Sequence, residues 1–131
     1  MFVDTSVFVA ILSGEDDADQ WTAALDAGGP LITSTLVMLE AVMRLSTKLR
    51  VTPEEAERAV RAMASAANIQ VEPIGEPELS LAVGAFSRYG KGRGHPAQLN
   101  LADCLSYACA KARGVQLLYK GEDFAQTDLA S

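Results

Sequence analysis

The sequence predicts an α/β protein, a parallel sheet sandwiched by helices, over 131 residues. Short apolar runs at Phe2-Val3, Leu31-Ile32-Thr33, Ile69-Gln70-Val71 and Val115 to Tyr119 alternate with longer stretches of helical period. Strands separated by helices pair in parallel, because each crossover returns the chain to the same edge. The last run is almost wholly apolar, as a strand covered on both faces should be.

Phe2-Val3 opens the first strand, which ends at Asp4, and Thr5 or Ser6 caps a short helix from Val7 to Leu12. Ser13-Gly14 closes that helix, and a second holds Ala18 to Ala27 with Trp21 and Leu25 inward. Gly28-Gly29-Pro30 breaks the pattern before the second strand. Ser34 or Thr35 caps the next helix, whose apolar side is read as Leu36, Leu39 and Met43. Thr52-Pro53-Glu54-Glu55 has the form of a capping box with proline at the first helical position, starting a helix that runs to about Ala67. After the third strand, Glu76-Pro77 starts a helix carrying Leu79, Val83 and Phe86, ending near Tyr89-Gly90.

Gly90-Lys91-Gly92-Arg93-Gly94-His95-Pro96 is a basic loop leading to the stretch that organises the chain. There Asn100 caps a helix with Leu101, Leu105, Ala108 and Ala112 at helical spacing. Lys111 and Arg113 oppose the dipole in its last turn, and Gly114 supplies the left-handed stop. The strand Val115 to Tyr119 follows, then the acidic turn Gly121-Glu122-Asp123, with a final short strand expected near Asp128-Leu129. No repeat, low-complexity tract or internal linker interrupts this order, so one α/β domain over residues 1–131 is expected.

Composition narrows the classes. Hydrophobic residues make up 49%, too many for a disordered chain. No apolar run approaches the roughly 18 residues of a membrane span, and no secretory signal pattern opens the chain. Cys104 and Cys109 lie roughly 140° apart around one helix, so they cannot pair with each other. Two reduced thiols point to the cytoplasm. The net charge of −6 argues against coating nucleic acid by bulk electrostatics, though not against gripping a few phosphates locally. The charge is also unevenly placed, with Glu15, Asp16, Asp17 and Asp19 in one acidic turn and Arg88, Lys91, Arg93 and His95 in a basic one.

Four acids fall where this architecture brings the chain to one sheet edge, the edge at which open α/β sheets hold ligands. Asp4 ends the first strand, Glu40 lies in the helix after the second, Asp103 heads the helix before the fourth, and Asp123 follows that strand. An oxygen-rich pocket of this kind suits Mg²⁺ or Mn²⁺, which activates water and stabilises charge on a phosphoryl group. Each acid also has a plain local role open to it. Asp4 caps a helix, Glu40 pairs with Arg44 at i, i+4, Asp103 favours a helix amino end, and Asp123 or its neighbour Glu122 is a solvated turn residue.

His95 is the only histidine, so chemistry needing two is excluded, and the Gly90–His95 loop lacks the order of a P-loop. Thr5 and Ser6 have no nearby histidine in sequence to activate them as nucleophiles. Lys91 and Arg93 are candidates for a local phosphate contact, and the two cysteines read as core thiols.

Val3-Asp4-Thr5-Ser6 resembles the opening motif of PIN-domain nucleases. Leu99-Asn100-Leu101-Ala102-Asp103-Cys104-Leu105-Ser106-Tyr107-Ala108 resembles the LNxGDCxxYA stretch of VapC-type toxins, and Leu117-Leu118-Tyr119-Lys120-Gly121-Glu122-Asp123-Phe124, with Thr127-Asp128, is similar to their LLxKGxDFxxTD ending. The likeness runs from residue 3 to residue 128. It implies a PIN-like three-layer α/β/α sandwich with about five parallel strands, and an Mg²⁺- or Mn²⁺-dependent endoribonuclease. It also implies a homodimer, a cognate VapB antitoxin, and growth arrest by cleavage of structured RNA.

Carried over by motif, Asp4 and Asp103 are the principal metal ligands, with Glu40 and Asp123 completing the acid set. Thr5 or Ser6 supports the first ligand, and Thr127 the last acid. Two departures stand out. Ala102 replaces a frequent glycine, and Gly121 holds the place, relative to Phe124, where many PIN domains carry the fourth acid. The expected reaction is attack of activated water on an RNA phosphodiester, leaving a 5′-phosphate and a 3′-hydroxyl. Two rivals are an aspartyl phosphatase, disfavoured by Ser6 where that chemistry wants a second aspartate, and a catalytically silent PIN-fold module that only binds RNA or protein. The groove between the Ser34–Thr47 and Thr52–Ala67 helices is the expected seat for an antitoxin helix.

Overall fold

The computed structural model describes residues 1–130. In chain order these form β1 (Phe2–Val3), α1 (Thr5–Leu12), α2 (Ala18–Ala27), β2 (Leu31–Ser34) and α3 (Thr35–Leu49). Then come α4 (Pro53–Ala66), β3 (Ile69–Glu72), α5 (Glu76–Tyr89), α6 (Leu101–Arg113) and β4 (Leu117–Leu118). The sheet is parallel throughout, in the order β3-β2-β1-β4. Phe2 pairs with Ile32 on one side and Leu117 on the other. The connections from β1 reach β2 on one flank while β4 closes the other, so the topological switch lies beside β1, where such sheets place their ligand crevice.

The sheet among the described residues has four strands, not the five expected. Residues 121–129 turn repeatedly instead of extending as a strand near Asp128-Leu129. Thr127 is the cause in part: its Oγ1 donates to the Phe124 carbonyl at 2.8 Å and accepts from Leu129 N at 3.2 Å, curling the backbone back on itself. The first helix also begins earlier than the sequence suggests. Asp4, not Thr5 or Ser6, is its N-cap, its side chain accepting from Ser6 N at 3.1 Å.

Three inward faces differ from the periodic reading. In α3 the buried residues are Val37, Ala41 and Leu45, while Leu39 and Met43 are exposed. In α5 they are Glu78, Ala82, Ala85 and Tyr89, leaving Leu79, Val83 and Phe86 outward. In α6 Cys104, Tyr107, Ala108, Cys109 and Ala110 face in, and Leu101 is 76% exposed. Small residues let α5 and α6 approach closely, and close contact outweighs side-chain size in choosing the buried face. Both cysteines are buried free thiols, as read. The core centres on Phe2, Phe8, Leu45, Leu99 and Phe124.

Candidate metal centre

Asp4 leaves β1 with its N–H donated to the Leu118 carbonyl of β4 at 3.0 Å, which fixes its backbone on the sheet edge. Its Oδ2 accepts from Ser6 N at 3.1 Å and from Ser6 Oγ at 2.7 Å. Ser6 Oγ in turn accepts from Lys120 N at 2.9 Å. One hydroxyl therefore ties the first acid to the segment leaving β4. Of the pair Thr5 or Ser6, it is Ser6 that supports Asp4. Thr5 does something else: its Oγ1 donates to Glu40 Oε1 at 2.5 Å, drawing the α3 acid toward the same edge. The expected Glu40–Arg44 ion pair does not form among the described residues.

Asp103 caps and faces the site at once. Its N–H donates to Asn100 Oδ1 at 2.8 Å while its Oδ2 accepts from Asn100 N at 3.1 Å, a reciprocal box at the start of α6. Burial pushes its carboxyl up to about 7, with the charges of Asp123, Asp4 and Glu40 adding to the rise against the Asn100 hydrogen bond. Asp4 is likewise raised, first by burial and further by Glu40, while Ser6 and the Ser106 hydroxyl pull the other way. The four carboxylates thus act on one another electrostatically. None of them has an ion-pair partner among the described residues.

Two expectations change. Thr127 bonds within its own turn and does not hold Asp123. Asp123 is itself exposed, yet it is among the charges that raise Asp103, whereas Glu122 is not. Lys91 and Arg93 are exposed on the loop between α5 and α6. That loop is closed at its base by Lys91 N to Leu99 O at 2.9 Å and Leu99 N to Tyr89 O at 2.8 Å, directly ahead of Asn100. His95 Nδ1 accepts from Ala97 N at 3.1 Å, and its ring stands edge-on to Tyr89.

Two contributors escaped the sequence reading. Ser106 is buried and reaches Asp4; its place three residues after Asp103, on the same helix face, was the available signal. Lys120 is the other. Its ammonium bridges Glu15 and Asp17, with Lys48 on Glu15 at 2.5 Å, so the acidic turn after α1 anchors the exit of β4.

The donor set fits a hard divalent cation. Two buried carboxylates lie at the edge with raised pKa values and no cationic partner, and bringing in a cation removes that electrostatic cost. Among the described residues no three acidic, histidine or cysteine side chains converge to enclose an ion by themselves. Mg²⁺ keeps several waters and takes one or two carboxylates, so Asp4 and Asp103 are the residues that would hold it.

Acids gathered at the carboxyl edge of a parallel α/β sheet lie where such sheets hold their ligands, and known proteins share this architecture. The PIN domain family profile matches residues 1–129. A VapC ribonuclease of Rhizobium meliloti strain 1021 is 42% identical, over 98% of each chain. A ribonuclease of Mycobacterium tuberculosis, VapC42, is 39% identical over 98% of this chain and 96% of its own. The chain belongs to the PIN-domain family, in its VapC group. Among solved structures, the fold is shared with Mycobacterium tuberculosis VapC20, a sarcin–ricin loop cleaving toxin, at TM-score 0.74 and 21% identity over 95% of this chain and 92% of that one. A toxin–antitoxin complex from Klebsiella pneumoniae superposes at TM-score 0.71 and 21% identity, covering 99% of this chain and 94% of that one.

Proposed function

We propose that this chain is the toxin of a VapBC-type pair, an endoribonuclease dependent on Mg²⁺ or Mn²⁺ and acting in the cytoplasm as one domain. The observation that carries the reading is the unpaired couple Asp4 and Asp103, buried together at the sheet edge with Glu40 and Asp123 as further charges. VapC ribonucleases at 37–42% identity over nearly the whole chain support the reaction class.

Asp4 and Asp103 would hold the cation, and a cation bound there supplies Lewis acidity to a phosphoryl oxygen and makes a bound water acidic. Ser6 and Ser106 orient Asp4 by donating to it. Asp103 engages Oδ2 in its cap, so Oδ1 is the oxygen it offers. Glu40, steadied by Thr5, and Asp123 order water around the scissile phosphate. Lys91 and Arg93 meet flanking phosphates.

For the partner, the complex from Klebsiella pneumoniae supports an antitoxin. The groove lined by Thr35, Met38, Leu39, Val42, Val60 and Val71, between α3, α4 and β3, suits an amphipathic helix. A second copy of the chain would cover the outward stripe Leu79, Val83 and Phe86 of α5.

The test is cleavage of total RNA by purified protein with Mg²⁺ or Mn²⁺, alongside EDTA and Asp4→Asn. Discrete cuts that need metal and vanish in the variant are expected. Identical behaviour of wild type and variant would leave a binding role or a narrower target as the answer.

A further inference from the structure

Asp123 has no ion pair of its own among the described residues, so the backbone that carries it decides where it stands. That backbone is fastened at two points. On the amino side Lys120 is held through its N–H to Ser6 and its ammonium to Glu15 and Asp17. On the carboxyl side the fastening is Asp128, which neither the metal set nor the RNA contacts use. Its Oδ1 accepts from Tyr107 Oη at 2.6 Å and from Tyr89 Oη at 3.4 Å, and its Oδ2 meets Lys111 Nζ at 2.6 Å. Arg88 donates to Tyr89 Oη at 2.6 Å behind it. Burial works to raise this carboxyl, but Lys111 and Tyr107 outweigh it and hold it below the usual range.

The geometry joins this node to the acids in two ways. Tyr107 and Lys111 stand one and two turns beyond Asp103 on α6, so the tail is clamped to the helix that presents Asp103. Between Asp128 and Asp123 there is little slack. Phe124 is fully buried, the Thr127 N–H and hydroxyl both donate to its carbonyl, and Ala125 N donates to Glu122 O at 3.2 Å. Tyr89 also packs against His95 in the loop that carries Lys91 and Arg93. A lone exposed ion pair would be worth little. Here donors from two helices converge on one carboxylate next to a span bearing a site acid.

We propose that Asp128 is a positioning residue that acts through the 124–127 turns to fix where Asp123 stands after β4. It rests on the nuclease reading above. Full-length protein is assayed as wild type, Asp128→Ala, Asp128→Asn, Asp123→Asn and the Asp123→Asn/Asp128→Ala double variant, with Asp4→Asn as the inactive reference. Readouts are kcat and KM on RNA, Mn²⁺ binding followed by electron paramagnetic resonance without RNA, and thermal melting.

Displacing a group of this kind by about 1 Å is enough to cost up to ~100-fold in rate, so Asp128→Ala should lower kcat by about 10-fold or more with KM little changed. Asp128→Asn, which still accepts from the tyrosines, should recover most of that loss. The double variant should be no worse than Asp123→Asn alone, because residues acting as one unit are not additive. Mn²⁺ should bind several-fold more weakly to Asp128→Ala. Additive losses, an unaffected kcat in folded Asp128→Ala, or an Asp123→Asn variant as active as wild type would each overturn the proposal. If wild type and Asp4→Asn are both inert, the nuclease reading has failed separately. Mn²⁺ binding then decides: weaker binding by Asp128→Ala sustains the positioning role, and equal binding removes it.

Discussion

Asp103 serves as both the N3 residue of a helix cap and a member of the acid cluster, and the two roles have opposite electrostatic preferences. The cap favours the anion, while burial and three neighbouring carboxylates favour the acid, and the second influence is larger. Its pKa rises from 3.8 to about 7, so the folded protein holds a proton that the unfolded chain releases at lower pH. Stability from this group is therefore full below about pH 4 and is lost as pH climbs through about 7. Metal-free protein should melt at progressively lower temperature between pH 4.5 and 7.5. Asp103→Asn should flatten that slope, and a slope unchanged in the variant would refute the assignment. Thr5 gives a second expectation at this scale. Thr5→Val keeps the shape but removes the hydrogen bond to Glu40, and losing an outer partner of this sort typically costs about 10–100-fold in metal affinity or activity. Initial rates against Mn²⁺ concentration would show it.

The helices obey their end signals more faithfully than their side patterns. Ser34, Thr52 and Asn100 each accept from a backbone N–H at the positions expected of N-caps, and Gly114 stops α6 at φ 62°. Caps depend on a few adjacent residues, so local sequence suffices to place them. Which face turns inward depends on what the helix meets, and in α5 the alanines won over leucine, valine and phenylalanine. Gly114→Ala isolates the stop: a Cβ there meets no atom within 4 Å, so only backbone strain is added. A loss of roughly 1–2 kcal/mol is expected from denaturant unfolding. A neutral result would mean the chain reverses without the left-handed residue.

At the scale of the whole molecule, a net charge of −6 coexists with two exposed cations on the loop that leads from α5 into α6. If Lys91 and Arg93 meet phosphates, the Lys91→Ala/Arg93→Ala protein should keep kcat, raise KM, and show a salt slope smaller by about 1.4. An unchanged slope would place RNA elsewhere. The outward stripe on α5 is tested by oligomeric state. Val83→Glu, at a residue 59% exposed, should yield monomer by light scattering while the melting temperature of the monomeric fold holds. A dimer that survives would assign another interface.

The α/β class, the element order and the caps at Ser34, Thr52 and Asn100 were legible in the residues, as were Asp4, Glu40, Asp103 and Asp123 as candidates for one edge. Alternation, end signals and motif spacing are properties of neighbours along the chain. The fourth strand's shortness, the loss of the fifth, the inward faces of α3, α5 and α6, and the split duties of Thr5 and Ser6 were decided by tertiary contact. So were Ser106 on Asp4, Lys120 on the acidic turn and Asp128 on the two tyrosines. Those partnerships join residues up to 114 positions apart, and no local pattern specifies a hydrogen bond whose other half arrives from across the sheet.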